Sequence, residues 1–167
     1  AFPLDRLVGD GRLRSPLHLA AEAGLHELVD ALLAGDEVQH EGDLEPMGAP
    51  TFEIDGRDVD GWSPLMHACF RGGGARRKVA RSLIDAGSNV AQKNVRGRTA
   101  LHLASAHARE DTTVHKEDAD IVELLLDESP GIIDLRDDEG ATALYAACAR
   151  GRVRSIVALV SRGADPW

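Results

Sequence analysis

Between Gly151 and Gly163 the apolar residues Val153, Ile156, Val157 and Val160 recur at helical spacing. The residues just before, Thr142 to Arg150, open on a hydroxyl side chain suited to an N-cap and continue with helix-forming Ala and Leu. Gly151 then stands where such a helix stops. The pattern predicts two short antiparallel helices joined by a tight glycine turn. Its opening phrase, Thr142-Ala143-Leu144-Tyr145, has three near-copies upstream: Ser15-Pro16-Leu17-His18, Ser63-Pro64-Leu65-Met66 and Thr99-Ala100-Leu101-His102. Pro16 and Pro64 fall at the first helical position, where the missing N–H costs nothing. The second-helix pattern recurs too, Leu28-Val29-Asp30-Ala31-Leu32-Leu33 matching Ile121-Val122-Glu123-Leu124-Leu125-Leu126. Such self-similarity points to stacked units rather than one central core.

These phrases resemble the Thr-Pro-Leu-His-like signature of the ankyrin repeat, whose period is about 33 residues. The resemblance spans about residues 11–167 and implies an all-α solenoid of stacked helix-turn-helix units with hairpin-like loops. The chain then divides into an N-terminal cap (1–10), repeat 1 (11–56), repeat 2 (57–92), repeat 3 (93–135) and a truncated repeat 4 (136–167). Leu4, Leu7 and Val8, ending at Gly9, suit a single short capping helix. The phrases start at residues 15, 63, 99 and 142, so the spacing exceeds the family period each time. A long loop insertion over 35–56 comes after the outer helix of repeat 1. Gly72-Gly73-Gly74 lengthens the turn inside repeat 2, and an inter-helix insertion occupies 108–118 of repeat 3.

Apolar residues make up 43% of the chain but aromatics only 4%, so the core must be built from Leu, Ala, Val and Ile. The formal charge of −9 argues against general binding to nucleic acid or anionic membrane, which need clustered Lys and Arg. No apolar run approaches the ~20 residues of a membrane span. The start, Ala1-Phe2-Pro3-Leu4-Asp5, is not a secretory leader. The start without Met and the close at Asp165-Pro166-Trp167 suggest a segment of a larger intracellular protein, cytoplasmic or nuclear. The only two cysteines, Cys69 and Cys148, each lie four residues after the phrase Leu, where Ala21 and Ser105 stand in the other repeats. That position is expected to hold a small buried side chain. Two repeats apart, the cysteines are too distant for a disulfide.

Candidate chemistry is sparse. His26-Glu27 lacks the second histidine of a zinc-protease helix, because position 30 is Asp, and Glu27 suits the acidic start of an outer helix. The glycine run at 72–74 leads into no Gly-Lys-Ser/Thr and reads as a turn. His102, His107, Glu110, Asp111 and His115 lack metal-ligand spacing. The family resemblance implies that His18 and His102 hydrogen-bond their cap hydroxyls, a network weakened where Met66 and Tyr145 replace histidine. No cofactor, metal or catalytic residue is expected.

The same resemblance implies that partners meet a concave face made by the hairpin tips and inner helices. Arg14, Trp62, His67, Phe70, Arg71, Arg96, Arg98 and Leu103 are the candidate contact residues there, with Arg12, Val59, Asp60, Val95, Asp138, Glu139, Leu19 and Arg150 beside them. Arg and Trp are common binding hot spots. Trp62 between Arg14 and Arg98 suits a protein or peptide with an apolar anchor and acidic neighbours. The acidic 35–56 insertion, with Leu44, Met47, Phe52 and Ile54, is a second candidate, although its composition equally fits disorder. Arg76, Arg77 and Lys78 are expected to pair with Glu110, Asp111, Glu117 and Asp118. The chain therefore reads as a monomeric, non-catalytic interaction module. The alternative is a regulatory domain of an enzyme or channel that binds a small ligand or an autoinhibitory segment.

Overall fold

The computed structural model describes residues 12–34, 53–70, 74–107 and 117–166. Within them lie eight α-helices, a short 3-10 turn at Pro130–Ile132, and no strand. The helices form four pairs: α1 (Pro16–Ala23) with α2 (His26–Ala34), α3 (Pro64–Cys69) with α4 (Gly74–Asp85), α5 (Ala100–His107) with α6 (Glu117–Glu128), and α7 (Ala143–Ala149) with α8 (Val153–Ser161). The inner helices α1, α3, α5 and α7 stack in order, and the outer helices α2, α4, α6 and α8 stack behind them. This is the all-α solenoid expected from the phrases.

The phrase creates the inner layer. Ser63 and Thr142 accept the N–H of Met66 and Tyr145 at 3.4 and 3.2 Å, each relieving one orphan donor of the first turn. Leu17, Leu65, Leu101 and Leu144 point inward, at most 6% exposed, and each contributes about 2–3 kcal/mol by burial. Three residues on, every inner helix presents a buried alanine: Ala20, Ala68, Ala104 and Ala147. A column of small side chains lets neighbouring backbones approach closely, which is how a core poor in aromatics still packs.

His18 and His102 bond their cap hydroxyls, as the resemblance implied, and they also tie layer to layer. Ser15 Oγ lies 2.7 Å from His18 Nδ1, and His18 Nε2 reaches the carbonyls of Gly56 and Trp62 at 3.1 Å each. A carbonyl only accepts, so Nε2 carries the proton and Nδ1 accepts from the Ser15 hydroxyl and N–H. His102 repeats this with the Thr99 hydroxyl at 2.9 Å and the Ala141 carbonyl at 3.1 Å.

Two expectations change, at Cys148 and at Gly74. Cys148 is exposed, whereas Ala21, Cys69 and Ser105 at the same position are buried. Those three are covered by the next inner helix, and no further helix covers α7 among the described residues. In α8 the small or slender side chains Ser155, Ala158 and Leu159 turn inward, leaving Val153, Val157 and Val160 more than half exposed. Gly74, read as part of a turn, is the first residue of α4. Glu27 does occupy the first turn of α2. The N-terminal cap, most of the 35–56 insertion and residues 108–116 lie outside the described residues. The last residues of the first insertion pack on the array: Ile54 joins the core margin, and the Asp55 carboxylate accepts the Asn89 N–H at 3.0 Å. The Arg76 guanidinium donates to the Glu22 carbonyl at the end of α1, at 2.8 and 3.1 Å.

Candidate functional site

The turns that precede the inner helices share one construction. Asp58, Asn94 and Asp137, each five residues before a cap hydroxyl, are 7% exposed. One side-chain oxygen of each accepts two backbone N–H groups, at 2.9 and 2.8 Å, 2.9 and 3.0 Å, and 3.0 and 2.9 Å. Such Asx turns fix the backbone two and four residues on. They thereby aim the residue just before the cap: Trp62, Arg98 and Ala141. Each turn also hydrogen-bonds its neighbour, Val59 N–H to the Arg12 carbonyl at 3.0 Å, Val95 to Asp60 at 3.2 Å, and Asp138 to Arg96 at 3.1 Å. The tips therefore form one continuous edge.

Between that edge and the inner helices lies a groove of about 310 Å³. The turn side supplies Asp60, Trp62, Asn94, Val95, Arg96 and Arg98, and the helix side supplies Phe70, Leu103, His107 and Arg150. Phe70 has already left α3, its extended backbone still donating to the Met66 carbonyl at 3.0 Å. Its ring meets Trp62 edge-on at 4.9 Å between centroids and lies 4.3 Å from the ring of His107. Three rings in a row give the groove an apolar side with π faces for a hydrophobic guest.

The cationic side is divided. Arg98 Nε donates to Asp137 at 3.0 Å, and its Nη2 lies 3.8 Å from Glu139. Burial alone would raise the Asp137 pKa. The Ala141 N–H, the Arg98 guanidinium and the Glu139 N–H outweigh it and hold the carboxyl below its usual range. Arg96 and Arg150 are exposed, and neither guanidinium has a partner among the described residues.

Of the eight contact candidates, Trp62, Phe70, Arg96, Arg98 and Leu103 converge on this groove. Arg14 instead pairs with Glu22 on its own helix pair. His67 sits behind Trp62, 9% exposed, its Nε2 2.9 Å from Asp58. Arg71 lies outside the described residues. Asn94 and His107 belong to the groove although sequence reasoning missed their part in it. His107 is one helical turn beyond Leu103, a spacing that puts both on one face. His102, grouped with possible metal ligands, is occupied by Thr99, while Glu110, Asp111 and His115 lie outside the described residues.

Residues 17–115 match the family described as ankyrin repeats (3 copies), and residues 96–138 and 139–167 each match a single ankyrin repeat. The chain belongs to the ankyrin-repeat family. This ankyrin array is also similar to the target of rapamycin complex 2 subunit AVO2 of Saccharomyces cerevisiae, 29% identical over 110 residues. That match covers 65% of this chain and 23% of the yeast protein, so the ankyrin array spans about a quarter of its relative. No helix among the described residues is long and apolar enough to cross a membrane.

Proposed function

We propose that this chain is a non-catalytic interaction module that holds a segment of a partner protein in the groove between its hairpin tips and inner helices. The segment lays an apolar side chain against Trp62 and Phe70 and sets acidic residues toward the guanidinium groups beside them. The observation that carries the reading is the convergence of Trp62, Phe70, Arg96, Arg98 and Leu103 on one groove. Ankyrin repeats generally serve protein–protein interaction, and the yeast relative is by name a subunit of a complex. Both agree with a holding role.

The test is capture of partners by the wild-type chain and by a Trp62→Ala, Arg96→Glu variant. Arg96 is chosen over Arg98 because Arg98 braces the Asp137 turn. Proteins retained by the wild type should be lost by the variant, with unchanged helical circular dichroism and melting. Equal capture by both would refute the reading.

A further inference from the structure

The groove distinguishes three arginines that look alike in the sequence. Arg98 is matched by Asp137 and Glu139, so its charge is largely answered within the array. Arg96 rises from a hairpin tip and Arg150 from the end of α7, one repeat further on, and both line the same cavity without a side-chain partner among the described residues. Among the described residues, Asp60 is the one carboxylate lining the cavity. Two uncommitted cations against one anion make this a locally basic site on a chain whose formal charge is −9. A guanidinium presents a planar fork of donors matched to a carboxylate. The aromatic row lines the same cavity.

We infer that Arg96 and Arg150 together receive the carboxylates of an acidic partner segment whose aromatic side chain lies on Trp62 and Phe70, while Arg98 is a positioning residue that shapes the turn. This rests on the groove reading and assigns its specificity. The recognised chemistry is a short acidic stretch interrupted by one aromatic residue. The two arginines stand on facing walls of the groove, Arg96 on the turn side and Arg150 at the end of α7, so each can receive a carboxylate of the segment lying between them. Charge complementarity steers the segment in, and the aromatic contact holds it. Binding therefore weakens steeply with salt, since both guanidinium groups are open to solvent.

The test uses three blocked pentapeptides: Glu-Glu-Phe-Glu-Glu, Gln-Gln-Phe-Gln-Gln and Glu-Glu-Ala-Glu-Glu. Binding to the whole chain is measured by amide NMR titration, with melting recorded for every variant. The first peptide should bind about tenfold more tightly than either of the others. Arg96→Gln and Arg150→Gln should each remove most of the preference for Glu over Gln, whereas Arg98→Gln, which loosens the Asp137 turn, should lower the affinity for both peptides alike. Equal affinity for the Glu and Gln peptides, both weakened by Trp62→Ala, overturns the carboxylate assignment and leaves the groove reading standing. Glu-peptide binding indifferent to Trp62→Ala and to both arginine variants overturns the two together. No binding of the first peptide at about 1 mM overturns this assignment alone, because the groove reading is judged separately by partner capture.

Discussion

Arg98 Nε donates to Asp137 Oδ2 at 3.0 Å across a repeat boundary, joining the turn that aims one groove residue to the corresponding turn of the next repeat. Asp137 answers with its other oxygen, which holds the N–H groups of Glu139 and Ala141. Asn94 makes the same pair of backbone bonds one repeat earlier. Asp137→Asn should therefore keep the turn and lose mainly the ion pair, at a cost of about 1 kcal/mol, while Asp137→Ala should cost about 2–3 kcal/mol. The folded-state pKa of Asp137 lies below its unfolded value. Its contribution is thus complete above about pH 4 and is lost as pH falls through the folded pKa. Urea unfolding from pH 7 down to pH 2 should show this acid limb weakened in Asp137→Asn.

His18 and His102 give a second, milder pH dependence. Burial, the largest cause, lowers both pKa values, despite raising contributions from backbone carbonyls. His67 and Asp58 face His18, while Asp137, Arg98 and Lys93 surround His102. The fold favours neutral imidazole. The stability tied to it is complete above about pH 6.5 and is lost as pH falls toward the folded pKa values. His102→Met, which copies Met66 of repeat 2, should lower stability at pH 7.5 and flatten its fall between pH 6.5 and pH 5. An unchanged slope would show that His102 is not responsible.

Two turn glycines differ in how closely the next repeat approaches them. Gly97 has φ +70, and a Cβ there would lie 2.7 Å from the Asp138 N of the next turn. Gly140 has φ +79 but nothing within 4 Å of its Cβ position. Gly140→Ala should cost about 1 kcal/mol from the left-handed backbone alone. Gly97→Ala must also push the next turn away, and should cost at least ~1 kcal/mol more. Denaturant midpoints of the two variants decide the order.

Leu13 occupies the same turn position in repeat 1 and is held at φ +55 while 57% exposed. A branched side chain in that region carries about 1–2 kcal/mol of strain. Leu13→Gly removes it at a smaller cost in unfolded-chain entropy. A net gain of about 0.5–1 kcal/mol is expected, read as a higher melting temperature.

The two thiols should react in sequence. Burial pushes the Cys69 thiol up to about 12, and Cys148 is exposed. A thiol reagent at pH 8 should label Cys148 in the native chain and reach Cys69 only on unfolding. Labelling of both at equal rates would contradict the packing of α3.

The fold was legible because its rule is local: a cap hydroxyl, a Leu two residues on and small residues behind it recur whatever the insertions do. Trp62, Arg96 and Arg98 were legible as groove residues because they sit at fixed offsets from those caps, although Arg14, at the same offset in repeat 1, pairs with Glu22 instead. Their division of labour was not, since the partner of Arg98 lies 39 residues away and appears only when two turns stack. His67 and Leu103 occupy equivalent positions, yet Asp58 draws one inward while the other lines the groove. The exposure of Cys148 and of the α8 valines was not legible for a related reason. Apolar spacing tells which residues share a helix face, and stacking alone tells which face is covered.

Site-specific photo-crosslinking in the source cell probes the groove most directly. A benzophenone amino acid at Val95, 62% exposed and lining the groove, is compared with one at Asp85, exposed on α4. Val95 should yield a discrete crosslink to one segment of a partner protein, lost on Trp62→Ala and not formed from Asp85. A crosslink of equal strength from both positions, or one that survives Trp62→Ala, would contradict the groove as the site of capture.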